Sequence, residues 1–323
     1  MGISAPPQGV ESGRLWSLPP GPRACQVAPV VPPLDGGCRL SVRDRPHRPH
    51  PVCRRAGLST GRGRPLVPTA CTRHGRGMGQ IIAILPGSGG VGASVLGAAV
   101  AIRAAAARRS AVAVDLDPWS GGLDTIFGLE QEPGWRWPEL EAVSGVVDGH
   151  ELARRLPVAD GVPVLATSRA RAEPSEWSVV PDVLLGLAAA HDITVVDLPR
   201  AETTIRLVVP LCHAVVVVVG HHVAQLAAAT VAIEQVRAGG GEPWAVLRGP
   251  RDLDDLEELV RDHLDVPVLG RLGDDHRVAA DLVDGIPPGV RGRGPVVEVA
   301  DRVLTRLVSH GALPLDAAQQ RSA

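Results

Sequence analysis

The chain has 323 residues, room for two average domains or for one large α/β domain with a tail. A formal charge of −2 hides an asymmetry, because residues 1–77 carry 12 arginines against Glu11, Asp35 and Asp44, a net +9, which leaves −11 on the rest. The acidic remainder argues against holding DNA or an anionic membrane through bulk electrostatics, and with no lysine in the chain, no lysine can reach a phosphate.

Residues 1–77 contain 13 prolines and no helical or strand period. Runs such as Asp44-Arg45-Pro46-His47-Arg48-Pro49-His50-Pro51 bury too little apolar area to offset ordering entropy. We expect this Pro/Arg-rich stretch to be disordered. Two other readings stay open: an in-frame extension upstream of a start at Met78, or a basic nucleic-acid-binding tail. Cys25, Cys38, Cys53 and Cys71 lie here at spacings that match no zinc pattern, and Cys212 stands alone before an apolar run as expected packing. The N-terminus lacks a signal-peptide layout. The longest apolar run, Ala214 to Val219, is strand-length, so a cytoplasmic protein is expected.

From Met78 the pattern changes. Gln80 to Leu85 reads as a buried strand, followed by a glycine-rich turn and an Ala-rich helix from Ala93 to Arg108. Further strands are predicted at Ala111–Leu116, Val162–Ala166, Ile193–Leu198, Ala214–Val219, Trp244–Leu247 and Val266–Leu269, with helices at Val180–Ala190 and Val223–Val236. Strands apolar on both faces, alternating with helices, predict a doubly wound, mostly parallel sheet covered on each side. This domain should span residues 78–312, with a flexible tail over 313–323.

Gly87-Ser88-Gly89-Gly90-Val91-Gly92-Ala93-Ser94 joins the first strand to the first helix. Such a loop lets successive N–H groups point inward as an anion nest. It is also compatible with a plain tight turn. Two acidic motifs favour the nest: Asp115-Leu116-Asp117 with Asp124 after the second strand, and Asp197-Leu198-Pro199 after a later one. In a doubly wound sheet those strand ends line one crevice, where carboxylates are placed to hold Mg²⁺, directly or through water, and to orient an attacking water.

In register the loop reads SGGVGAS, which resembles the KGGxGK[ST] loop of deviant Walker A proteins of the MinD/ParA family. The resemblance places that family's signature lysine on Ser88, its phosphate-binding lysine on Ala93 and its Mg²⁺-binding hydroxyl on Ser94. It implies nucleotide contacts from Ser88, Gly89, Gly90, Val91, Gly92, Ala93, Ser94 and Val95. It implies Mg²⁺ at Ser94, Asp115 and Asp197, water orientation by Asp117, and supporting roles for Asp124 and Arg200. The family's adenine-reading Asn has no counterpart in Val246-Leu247-Arg248-Gly249-Pro250. Asp115-Leu116-Asp117-Pro118, Gly121-Gly122-Leu123-Asp124, Gly128-Leu129-Glu130 and Arg136-Trp137-Pro138-Glu139-Leu140 further resemble actinobacterial CpaE-like proteins, some called septum site-determining, encoded near helicase and secretion genes. That subgroup tolerates Ala at the lysine position. The likeness covers roughly residues 79–310, and the receiver-like domain of many relatives is not found in the N-terminal stretch.

A phosphate-binding lysine contributes about 1.5–3 kcal/mol through charge-assisted contacts, so its loss weakens nucleotide binding roughly 10- to 150-fold. Hydrolysis should suffer more, because the same charge stabilises the transferring group. The resemblance thus implies a spatial regulator of septum placement, or of pilus or secretion machinery, with ATP and Mg²⁺ held weakly and little or no hydrolysis. Protein partners, a homodimer, at most peripheral membrane contact and recruitment to the pole, septum or inner membrane surface go with it. Two alternatives remain: an active ATPase using Arg200 (Arg103 is less well placed) or a partner's cation, and a ParA-like nucleic-acid-associated protein acting through the basic stretch. Trp135 and Trp137 around Arg136 read as a partner hot spot or as packing of a long connection, and Trp119 as a cover for the crevice. His221-His222 reads as a helix opening rather than a metal site. The stripe Val296, Val299, Val303, Leu304, Leu307 and Val308 is expected to pack on the sheet.

Overall fold

A computed structural model describes residues 78–309 apart from 119–120, 142, 144, 169–176 and 251–253. The expectations for residues 1–77, the 313–323 tail and Trp119 lie outside the described residues.

Eight strands form one sheet: β1 (Gln80–Pro86), β2 (Ala111–Asp115), β3 (Val158–Ala159), β4 (Val162–Leu165), β5 (Ile193–Asp197), β6 (Ala214–Gly220), β7 (Pro243–Arg248) and β8 (Val268–Leu272). Their order across the sheet is β3-β4-β2-β5-β1-β6-β7-β8. All neighbours are parallel except the β3–β4 hairpin at one edge. Main helices are α1 (Ala93–Ala106), α4 (Val180–Ala190), α5 (Glu202–Val208), α6 (Val223–Ala238), α7 (Asp254–Leu264), α8 (His276–Val283) and α9 (Pro295–Ser309), with short α2 (Leu123–Ile126) and α3 (Gly149–Ala153) between them.

The apolar strand runs are buried on both faces, as a covered parallel sheet requires. On β1, Ile82 and Ile84 join a core with α1 and α9, while Ile81, Ala83 and Leu85 join the core on the opposite face with α4 and α6. The stripe on α9 is spent inside the chain: Val296, Val299, Val303 and Leu307 are buried, Leu304 and Val308 are partly so, and the helix packs on α1 and β8. Arg103 of α1 is committed to Asp301 of α9 by hydrogen bonds of 2.8 and 3.1 Å.

Most predicted elements appear within one or two residues of their expected bounds. The last strand begins two residues later than expected. Pro267 has no N–H to give a ladder, and only its carbonyl serves, accepting from Ala245 N at 2.9 Å.

Candidate functional site: a glycine loop beside two buried acids

β1 delivers the chain into the glycine loop at the centre of the sheet, where strand order reverses about β1 and β5. Gly87 N donates to Val218 O at 2.9 Å. A Cβ on Gly87 would lie 2.8 Å from that oxygen and from Ala229 Cβ, so only glycine fits between β6 and α6. Gly90 and Gly92 have φ of 73° and 85°, the left-handed region where glycine carries no penalty. Gly92 is also the α1 N-cap and offers no side chain to the first helical amides, which leaves those donors for an anion. Gly89 and Gly90 are exposed, with no heavy atom within 4 Å of a would-be Cβ, so a ligand can approach the backbone.

The two positions that the loop's resemblance gives to lysines hold small neutral groups. Ala93 is 4% exposed, and Ser88 is 8% exposed with its Oγ buried and unpaired. Val91 is buried, whereas Ser94 and Val95 are half-buried.

Asp115 and Asp197 end adjacent strands and are direct register partners. Both project to the α1 face, by the period-2 alternation that puts Ala113 and Val195 into the α1 core. The Ser94 hydroxyl lies close enough to Asp197 to lower its proton affinity, so helix start, first acid and second acid converge. Asp117 and Asp124 lie on the following loop and on α2. The structure thus brings Ser94, Asp115 and Asp197 together beside Ser88–Val95.

The two acids differ in what they have free. Asp115 Oδ1 accepts from Asp117 N at 2.9 Å, and Oδ2 accepts from Leu123 N at 2.8 Å and Thr167 Oγ1 at 3.4 Å. Asp197 Oδ2 is buried and has no partner. Burial lifts Asp115 to about 6, against the lowering effect of the Leu123 and Asp117 amides. Burial also lifts Asp197 to about 8, with the Asp115 charge adding to it and the Ser94 hydrogen bond opposing it. Among the described residues no ion pair reaches either carboxylate. An unpaired carboxylate oxygen, a hydroxyl and a second acid form a donor set of oxygen atoms, the chemistry that a hard divalent cation takes. Asp197 and Ser94 would hold Mg²⁺, with Asp115 beside them, both of its oxygens being already engaged.

Three residues hold this arrangement: Thr167 carries no signal in the sequence, where Trp137 and Arg136 read as a partner hot spot or as packing. Trp137, fully buried, donates its Nε1–H to Asp115 O at 2.6 Å. Arg136 pairs with the buried Asp124 at 3.9 Å and its Nη2 donates to Leu129 O at 3.0 Å. Thr167, past the end of β4, reaches Asp115. Trp135 takes the Arg155 guanidinium over its ring at 4.4 Å. The tryptophan–arginine segment is therefore internal packing that anchors the acidic loop.

Other predicted residues sit as follows. Arg200 is exposed, three residues past Asp197. The rings of His221 and His222 lie 4.0 Å apart between centroids, and among the described residues no group of three or more His, Cys, Asp or Glu side chains is placed to hold a metal. Cys212 gives its thiol to Val208 O at 3.3 Å, and burial pushes it up to about 12, so it is inert packing.

No family model matches the chain. It is 34% identical over 236 residues to "Uncharacterized protein Rv3660c" of Mycobacterium tuberculosis, a match covering 72% of this chain and 65% of that protein. Among solved structures, the cell division ATPase MinD of Pyrococcus furiosus superposes with a TM-score of 0.60 at 20% identity, over 71% of this chain and all of that one. The septum site-determining protein MinD of Pyrococcus horikoshii, complexed with Mg-ADP, gives 0.55 at 17%, over 74% and 100%. MinD from the MinC:MinD cell division complex of Aquifex aeolicus gives 0.54 at 17%, over 70% and 96%. The fold is that of the MinD/ParA P-loop proteins, a doubly wound α/β domain with the phosphate loop after its first strand.

Proposed function

We propose that this chain is a degenerate MinD/CpaE-like P-loop protein that binds ATP–Mg²⁺ weakly, hydrolyses it slowly or not at all, and acts as a spatial regulator of septum placement or of pilus or secretion machinery. One observation carries the reading. Ser94, Asp115 and Asp197 converge beside a glycine loop whose two lysine positions, Ser88 and Ala93, are neutral and buried.

The chain's own residues divide the work. Amides of Gly89 to Ser94 hold phosphate oxygens, Ser94 and Asp197 hold the cation, and Asp115 fixes the acidic loop through the Asp117 and Leu123 amides. Asp117, half-exposed at the crevice end of β2, orients a water. Bound Mg²⁺ supplies the positive charge that shields β- and γ-phosphate oxygens. With neither lysine present, the developing charge of phosphoryl transfer has no fixed protein cation. Ser88 in place of a cross-dimer lysine also removes one support for an ATP-driven homodimer. Output then rests on a surface shown to a protein partner, as the Aquifex protein is seen with MinC. The burial of the α9 stripe supports reading any membrane contact as peripheral; no described helix is long and apolar enough to cross a membrane.

Calorimetric titration of ATP–Mg²⁺ into the full chain, paired with a phosphate-release assay, tests this reading. Binding with negligible turnover is expected; turnover at the rate of a lysine-bearing MinD sinks it. Exposure of Arg200 near the acids supports a second reading, an active ATPase, which Arg200→Ala would abolish. DNA association through residues 1–77 would show as salt-sensitive retention on a filter.

A further inference from the structure

The acids fix the direction of a bound nucleotide. Asp115 and Asp197 end β2 and β5, both on one side of β1. A triphosphate whose terminal group lies against them runs back along the glycine loop. Its nucleoside must then leave on the other side of β1, over the ends of β6, β7 and β8.

That side of the crevice is built on an edge strand, which has a ladder partner on one flank only. β8 is the last strand of the sheet, is half-buried along most of its length, and meets β7 through a register shift at Ala245/Val246. Arg248, the last residue of β7, spans the gap. Its guanidinium donates to Gly273 O at 3.0 Å and Leu272 O at 3.4 Å, and it pairs with the Asp274 carboxylate. Arg271 returns the link by donating to Pro250 O at 2.8 Å. Leu272 is in turn seated on the phosphate loop, where a Cβ on Gly92 would lie 3.4 Å from its Cδ2.

We propose that Arg248 is the positioning residue for the nucleoside half of the site, holding the Leu272–Asp274 stretch against the phosphate loop so that the base and ribose of a purine nucleotide find a preformed wall. This rests on the nucleotide reading above and deepens it. Arg248 needs no contact with phosphate; its contribution is to a wall that a ligand without a nucleoside never touches. A plain structural role would weaken every ligand alike or none.

The test compares ADP–Mg²⁺ with inorganic tripolyphosphate–Mg²⁺ by calorimetry on the full chain, its Arg248→Ala variant and its Asp274→Ala variant. Asp274 is largely exposed, so its variant cuts the latch from the loop side even where Arg248→Ala fails to fold. Loss of three hydrogen bonds to a charged group should weaken ADP about tenfold or more in Arg248→Ala. A smaller loss is expected in Asp274→Ala, and tripolyphosphate should stay within about twofold in both. Equal weakening of the two ligands, no weakening, or tighter ADP overturns the proposal while leaving the phosphate site standing. If the unaltered chain binds neither ligand, the nucleotide reading falls and this inference with it.

Discussion

Asp197→Asn isolates the electrostatic cost built into the site. Burial and the Asp115 charge hold the Asp197 carboxyl at about 8, against an ordinary value of 3.8. The folded chain therefore binds this proton more tightly than the unfolded chain does. The stability it contributes is complete below about pH 4 and is lost as pH rises through about 8. At 1.36 kcal/mol per pH unit, a window of about four units bounds the loss at about 6 kcal/mol. Relaxation and water entry around a buried ion reduce the realised figure to about 2–4 kcal/mol. Asparagine is close in size, stays neutral and can still accept from Ser94. In denaturant titrations without divalent cations, stability of the unaltered chain should fall by that amount between pH 5 and pH 9 relative to Asp197→Asn. Asp115, lifted to about 6 by its own burial, adds a smaller decline below pH 7 to both proteins, because Asp197 is still neutral where Asp115 titrates. Millimolar Mg²⁺ should restore the unaltered chain at pH 9 and leave the variant unmoved. Parallel stability curves for the two proteins from pH 5 to pH 9 would refute the account of two buried acids without a cation.

Three further outcomes follow from single contacts. Ala93→Lys should tighten ATP–Mg²⁺ roughly 10- to 150-fold by calorimetry, and an unchanged affinity would show that the loop does not hold phosphates. Trp137→Phe leaves the buried Asp115 carbonyl without its 2.6 Å donor; a loss of about 1–3 kcal/mol is expected in denaturant unfolding, and a stability equal to that of the unaltered chain would mean the bond contributes nothing. Gly128→Ala puts a Cβ 2.5 Å from Gly285 O at a φ of 66°, so at least about 2 kcal/mol should be lost, read as a lower melting temperature.

The architecture was legible because its signals are local. Ile81 to Leu85 and Val215 to Val219 are apolar without alternation, which a strand covered on both faces demands. The helix Val180–Ala190 matches its expected span residue for residue. Elements that the periodicity reading passed over are those whose apolar face is narrow. α7 buries Leu256 and Val260 beneath an acidic outer face, and α8 buries no residue at all. At the site, the acids and the glycine loop could be read because their chemistry is written in residue type. Which oxygen of which acid is free could not, since it depends on where the Asp117, Leu123 and Thr167 donors come to rest. Trp137 belonged to a visible motif, yet its bond to the Asp115 carbonyl joins residues 22 positions apart. Arg248 drew notice only as a missing asparagine, because its partners lie across a strand pairing that the sequence does not specify.

Charge balance then sets how far nucleotide binding depends on a cation. A loop with two lysines neutralises part of a triphosphate before any metal arrives. Here the crevice holds Asp115 and Asp197, and Arg136 of the acidic loop's anchor is committed to Asp124. Where both buried acids are ionised, above about pH 8, a free triphosphate approaching the glycine loop meets helix amides and carboxylates, and the repulsion acts in a buried setting where charges are poorly screened. Nucleotide binding would then call for a divalent cation beside the unpaired Asp197 oxygen, with both acids ionised to hold it. Nucleotide affinity should accordingly collapse without Mg²⁺ to a greater degree than in a lysine-bearing relative. Titrations of ATP with and without excess chelator, run side by side on this chain and on its Ala93→Lys variant, measure that difference directly; equal Mg²⁺ dependence in the two would show that the lost lysine was never the charge that mattered.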